Sequence, residues 1–463
     1  MAIRRIIENF RSYTRFQGNA RLYLISNAMS GMTTGIFLVL YNLYLVSLGY
    51  RADFVGAVLF AGTLGAGLAI VPAGVCVDRW SGKRILIGAS LLIGLIGIGA
   101  ILFRQPGPLL VSAFLGGIAT AFLLVINAPF LTRNSQPAER PDLFSLNIVL
   151  AQITMVVGEI LGGALPIWFA HSSWWMAPLP SWLNWLLASQ TQPRSYQLAL
   201  LVAGLIAIPS FLPLFFLCEE SHLPAQKPQE HHPEASGARV LHWQVWMANA
   251  RRWTRPAFLS ALLISPFFAL ALVQTLTGLG AGLFIPYFNL FFVHHLWASS
   301  ALFGLIDGVA NGLLALTTLF APWLARRIGH VNSIMLTRLC SLPLLLAIGF
   351  TGSLPLAAAL YPLREGLMDM SAGILLVFSM EEVPERHRGI ANSVYQAAYQ
   401  IAWAITSSIG GLIIVAVGYG PLFVVAAFCY LASIIVLWGR FGRVNKERMS
   451  KAARIDLVAP DRS

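Results

Sequence analysis

Charge is scarce in this chain. Only 11% of its 463 residues are Asp, Glu, Lys or Arg, against about a quarter in soluble domains. With 57% hydrophobic residues and a mean hydropathy of +0.71, a soluble protein with a single membrane anchor is excluded. Cysteine is sparse too. Cys76, Cys218, Cys340 and Cys429 lie in or beside apolar runs, and their spacing fits neither a zinc site nor a disulfide framework. Other absences remove enzyme classes. "SGKR" (81–84) lacks the upstream glycine and the hydroxyl of a phosphate-binding loop, and there is no Gly-x-Ser-x-Gly and no metal-spaced His/Glu pair. The pair His231-His232 has no third ligand spaced for a metal. No enzyme activity, cofactor or metal is therefore expected. The opening "MAIRRIIENFRSYTRF" lacks the apolar core of a cleavable signal. Ile3, Ile6, Phe10 and Tyr13 recur at helical spacing among arginines; an interfacial helix and a frayed basic tail both fit.

What the chain has instead is apolar runs of about 20 residues, each long enough to cross a bilayer as a helix. Twelve are expected, at 22–48, 54–77, 85–103, 108–131, 144–169, 196–218, 260–293, 299–324, 332–351, 354–380, 390–417 and 421–439. The fold class is an all-α polytopic membrane protein. The net charge of +12 is not spread as a nucleic-acid surface would be. Of the 31 Lys and Arg, 26 fall in the termini and the even-numbered loops and three (Arg51, Arg104, Arg194) on the other side; two (Arg338, Arg364) lie within spans. That asymmetry predicts both termini in the cytoplasm of a cell membrane. The polar stretch 219–256 divides the chain into a six-helix bundle at 1–218, a cytoplasmic central loop, a second bundle at 257–440 and a basic tail at 441–463. Trp168, Trp174, Trp175, Trp182 and Trp185 crowd one loop on the other side; an interfacial segment and a substrate lid both fit.

The two halves repeat. "SGMTTGIFLVLYNLYLV" (30–46) lies over "TGLGAGLFIPYFNLFFV" (277–293) at one offset of 247 residues. Gly31 meets Gly278, Gly35 meets Gly282, and Asn42 meets Asn289; Gly82 meets Gly329 further on. Two similar bundles of this kind can rock about a central site.

Residues 74–84, "GVCVDRWSGKR", form the loop between the second and third spans. Gly74, Asp78, Arg79, Gly82, Lys83 and Arg84 resemble the signature of the major facilitator superfamily, with one extra residue at Trp80-Ser81. The resemblance, covering nearly the whole chain, implies a secondary transporter of a small molecule in a lipid bilayer. It also implies that Asp78 latches a cytoplasmic gate against a helix N-terminus near Gly389-Ile390-Ala391, where the dipole favours an anion. The second-half copy, "PWLARRIGH" (322–330), has lost the acid. Where antiporter branches of the family carry Gly-Pro and then Gly-Gly in the fifth helix, this chain has "GEILGG" (158–163), with Glu159 for the proline; the arginine usual in the fourth helix of proton-coupled drug antiporters is missing.

The tenth span holds "YPLREGLMDM" (361–370). Arg364 is about ten residues in, near midplane at about 1.5 Å per residue, where an ionisable group is costly and a functional candidate. Glu365 and Asp369 share a helix face, an arrangement suited to a proton site or to an internal salt-bridge cluster. Glu159 and Asp307 are further buried acids, either of which could pair with Arg364 or carry a proton, while Arg338 is expected to snorkel. Tyr395 and Tyr399, with Gln396 and Gln400 beside them, suit the wall of an amphiphile site or interhelix packing. Asn42 and Asn289 are symmetry mates that could line the cavity from both halves. With no ATPase domain, uphill work would use an ion gradient. Proton-coupled efflux of amphiphilic compounds is the first reading and a metabolite importer or uniporter the second, with a non-transporting membrane protein as a third. A monomer is expected.

Overall fold

The computed structural model describes residues 16–136, 139–178, 180, 183–218, 265–383 and 388–458. The basic N-terminal segment, the central stretch 219–256, His231, His232 and Trp182 lie outside them. Twelve long helices run through the described residues: α1 Gly18–Ser47, α2 Ala52–Arg79, α3 Gly82–Leu102, α4 Pro106–Arg133, α5 Arg140–His171, α6 Thr191–Phe215, α7 Pro266–Phe284, α8 Ser300–Ile328, α9 His330–Phe350, α10 Leu354–Glu381, α11 Arg388–Val417 and α12 Tyr419–Val458. Eleven are long and apolar enough to cross a membrane on their own composition. The twelfth is α10, whose charges interrupt its apolar run. Helix starts carry ordinary caps: the hydroxyls of Ser81, Ser265 and Ser299 accept the backbone N–H groups of Arg84, Phe268 and Leu302.

The packing repeats with the sequence. Helix α1 lies against α5 and α6, as α7 lies against α11 and α12; α2 lies on α4 as α8 lies on α10; α3 touches α4 and α6 as α9 touches α10 and α12. Two seams join the halves, α2–α11 and α5–α8. They too are related by the repeat. The outside is apolar, with Leu95, Leu205, Phe428 and Ile435 all more than half exposed. That is the reverse of a soluble surface and matches a bilayer.

The end of the bundle carrying Arg79, Lys83, Arg84, Arg326 and Arg327 is called the basic end here; the 48–51, 103–105 and 351–353 connections lie at the opposite end. The extra residue at the basic end has a simple cause. The α8–α9 turn is the single residue Gly329 at φ +84°, a left-handed position that glycine adopts without strain. The α2–α3 turn uses two extended residues, Trp80 and Ser81, and there Gly82 sits inside the helix against the Phe130 ring. At the opposite end the 172–190 loop is pinned by cations: Arg194 donates to the Ala177 carbonyl (2.9 Å) and Arg104 to that of Asn184 (3.1 Å). Trp168, Trp174 and Trp185 stand exposed around it.

One helix departs from the expected 260–293 span. Helix α7 ends at Phe284, continues through a 3-10 turn at Ile285–Tyr287, and closes in a π turn at Phe291–His295. Pro286 is the cause: it supplies no N–H, and its ring clashes with the preceding turn.

Candidate functional site

The "GEILGG" run builds the ground on which the site stands. A Cβ on Gly158 would lie 2.1 Å from the Met32 carbonyl oxygen, and one on Gly35 2.2 Å from that of Met155. Helices α1 and α5 thus touch backbone to backbone. Gly163 and Gly304 do the same across the α5–α8 seam, with Cβ distances of 2.4 Å to the Ser300 oxygen and 2.3 Å to the Glu159 oxygen. In this seam Glu159 replaces the proline of the antiporter motif. Its side chain is fully buried. Oε1 accepts the Asn311 amide at 2.9 Å, and Oε2 has no hydrogen-bond partner.

Asp307 lies one turn before Asn311 on α8, buried and within electrostatic reach of Glu159. It accepts the Tyr361 hydroxyl at 2.8 Å. Helix α10 then brings in its three charges. Arg364 is fully buried and donates to its own neighbour Glu365 and, at 3.2 Å, to the Tyr430 hydroxyl. Its guanidinium lies 4.8 Å from the Phe284 ring centre and 5.6 Å from that of Tyr430, an aromatic cage suited to a cation. Its Nε has no acceptor. Asp369 is half-buried and interacts electrostatically with both Glu365 and Arg364. The acids form a string, Glu159–Asp307–Glu365–Asp369, joined pair by pair. It spans both halves and contains one guanidinium.

Several expectations need correction. Neither Glu159 nor Asp307 pairs with Arg364; each has its own neutral donor. Arg338 does not snorkel. It is 1% exposed, and it donates to Ser371 on α10, Thr277 on α7 and Ser433 on α12, each at 3.1 Å. Sequence reasoning missed this node, although the hydroxyls lying among apolar residues on three spans were a visible signal. Asn42 and Asn289 are both buried, and each donates to a backbone carbonyl of the other half. The aromatic stripe of α11 divides. Tyr395 is buried against Phe267, ring centres 5.3 Å apart. Tyr399 packs on Trp403 and faces the Arg364–Asp369 cluster electrostatically, while Gln396 and Gln400 are exposed.

In the α2–α3 turn, Lys83 donates to the Leu217 carbonyl at 2.7 Å, Arg79 is exposed, and Gly74 has no atom within 4 Å of a Cβ position. The Asp78 side chain and the side chains of Gly389-Ile390 lie outside what is described, and so does the latch expected between them. An apolar crevice of 490 Å³ between α2 and α4, reaching Ser408, holds no ionisable group and lies apart from the acid string.

The sequence matches the Major Facilitator Superfamily over residues 23–363 and again over 270–460. The chain belongs to that superfamily. It is a multi-pass membrane transporter of a small molecule, and superfamily members are transporters rather than enzymes. A curated relative, "Putative metabolite transport protein YwtG" of Bacillus subtilis (strain 168), is 26% identical over 196 residues, 42% of this chain and 39% of the relative. The match thus spans about two fifths of the relative's length. Among solved superfamily structures, the nucleoside transporter NupG aligns over 91% of this chain and 98% of its own at a TM-score of 0.65 and 15% identity. The D-xylose-proton symporter aligns over 91% and 97% at 0.63 and 14%. A bacterial homolog of the human lysosomal transporter Spinster, inward-facing and occupied, aligns over 94% and 97% at 0.63 and 13%. These likenesses establish the fold.

Proposed function

We propose that this transporter couples proton movement to the export of small amphiphilic compounds by alternating access. The carrying observation is the surplus of carboxylates. Glu159, Asp307 and Asp369 remain after Arg364 has taken Glu365 as its counter-ion. Buried negative charge without a cation is costly, so protons or the cationic group of a substrate neutralise it. Two ligands competing for the same carboxylates exchange with each other, which is antiport. The Tyr399–Trp403 pair supplies apolar surface for the rest of an amphiphile. The 26-to-three distribution of Lys and Arg supports a basic end, with both termini, on the cytoplasmic side of a cell membrane. The opposite-end seams, closed here, then face outward.

A second reading is import of a metabolite. The missing fourth-helix arginine and the altered "GEILGG" favour it, as do the names of the relative and of the symporter. One experiment separates the two. The purified protein is reconstituted in vesicles with an imposed pH gradient and offered a labelled lipophilic cation, a sugar and a nucleoside in turn. Export predicts that the cation accumulates on the acidic side, and that Asp369→Asn binds it but no longer responds to the gradient. Accumulation of sugar or nucleoside on the alkaline side, away from the protons, refutes export and establishes symport.

A further inference from the structure

The repeat paired Asn42 with Asn289, and the structure turns that pairing into a contact. The Asn42 amide donates to the Pro286 carbonyl at 2.7 Å. The Asn289 amide donates to the Val39 carbonyl at 3.1 Å. Residue 39 is the repeat mate of residue 286 at the same offset of 247. Each asparagine therefore grips, in the other half, the carbonyl three residues before its own counterpart. The arrangement is a pseudo-two-fold clasp between α1 and the irregular end of α7.

The chemistry defines the orientation of both amides. Each faces a carbonyl, which only accepts, so the NH₂ must point across the seam. The Asn289 Oδ1 is held by the Leu290 backbone N–H at 2.8 Å. Both asparagines are more than nine-tenths buried. No charge takes part in either bond. Pro286 interrupts α7 at this level. Val39 lies within the unbroken α1, where its carbonyl has a second lone pair to offer.

We propose that Asn42 and Asn289 form the latch that holds the opposite end of the transporter shut, and that their release is a required step in opening it. The latch belongs to a closed face. Ser408 donates to the Gly56 carbonyl at 3.1 Å across α2–α11, and Ser300 to the Gly163 carbonyl at 2.9 Å across α5–α8. A Cβ on Gly411 would lie 2.2 Å from the Ala52 oxygen. The serine contacts and the glycine seams tie neighbouring helices along their sides. The asparagine bonds instead join the first helix of one half to the first helix of the other, and they are reciprocal under the repeat, so both are stretched together when the halves rotate apart.

The proposal rests on the alternating-access part of the reading above and not on proton coupling. Ser407 is fully buried near the seam, where a Cβ on Gly56 would lie 2.9 Å from its carbonyl oxygen. The test uses the full-length protein in detergent with Ser407→Cys as reporter, and maleimide labelling is read by mass spectrometry of the 407 peptide. Asn42→Ala and Asn289→Ala should each raise the labelling rate by about two- to twelvefold, the equilibrium effect of one lost hydrogen bond. The double variant should label fastest. Labelling at the parent rate in a folded double variant overturns the latch. If the alanine variants do not fold, Asn42→Ser and Asn289→Ser, whose hydroxyls are too short to cross the seam, carry the same readout. No pH gradient is present, so failure here leaves proton coupling untouched, and loss of gradient response in vesicles leaves the latch untouched.

Discussion

Removing the buried Arg338 charge should harm this protein less than removing the groups that solvate it. The three hydroxyls around it already donate within their own helices: Thr277 to Val273 (2.7 Å), Ser371 to Met368 (2.6 Å) and Ser433 to Tyr430 (2.7 Å). Toward Arg338 they only accept. Arg338→Met therefore strands no donor. It gives up three charge-assisted bonds and also removes an ion whose burial costs several kcal/mol, so the net change should lie within about 2 kcal/mol of zero. Each hydroxyl-to-alanine change should cost about 1.5–3 kcal/mol, the worth of a hydrogen bond to a charged group. The triple alanine variant leaves the charge unsolvated. The decisive comparison is Arg338→Met in that triple background, where it should raise the unfolding midpoint in a detergent denaturation series. If it lowers the midpoint there, the charge is stabilised by something other than these hydroxyls and the reasoning fails.

Gly304→Ala should destabilise by about 1–3 kcal/mol, because its methyl would meet the rigid Glu159 carbonyl. Gly312→Ala on the same helix meets nothing within 4 Å and should be neutral or stabilising by up to about 1 kcal/mol; thermal unfolding of the two, side by side, checks the seam. Tyr430→Phe keeps the ring beside Arg364 and loses only the hydroxyl contact, so it should cost about 1–3 kcal/mol. Tyr430→Leu should cost at least about 0.5–2 kcal/mol more through the lost cation–π contact, and equal midpoints for the two would show the ring to be idle.

Much of the frame was legible in the sequence. The expected spans at 85–103, 332–351 and 354–380 became Gly82–Leu102, His330–Phe350 and Leu354–Glu381, because glycine, proline and charge punctuate runs that are otherwise uniformly apolar. The same uniformity hid the rotation of each helix. An amphipathic stripe would have told core from lipid, but helices such as α6 and α9 show no such stripe. So the burial of Arg338, the Arg364–Glu365 pairing of adjacent residues and the aim of Glu159 into the α5–α8 seam were not derivable from spacing. The repeat showed that Asn42 and Asn289 correspond; only the fold showed that each grasps a backbone carbonyl of the other half.

The glycine seams carry a last consequence. Where α1 meets α5 and α5 meets α8, the bearing surface is main chain against main chain. Main chain is the one part of a protein that substitution elsewhere leaves unchanged. Side chains of the chamber can therefore be exchanged through evolution, and the cargo with them, without recutting the joints on which the halves turn. The joints in turn tolerate almost no variation at Gly35, Gly158, Gly163 and Gly304. The proposed site on α10 and α11 and these joints are therefore separate targets, and a change of specificity at the former leaves those four positions alone.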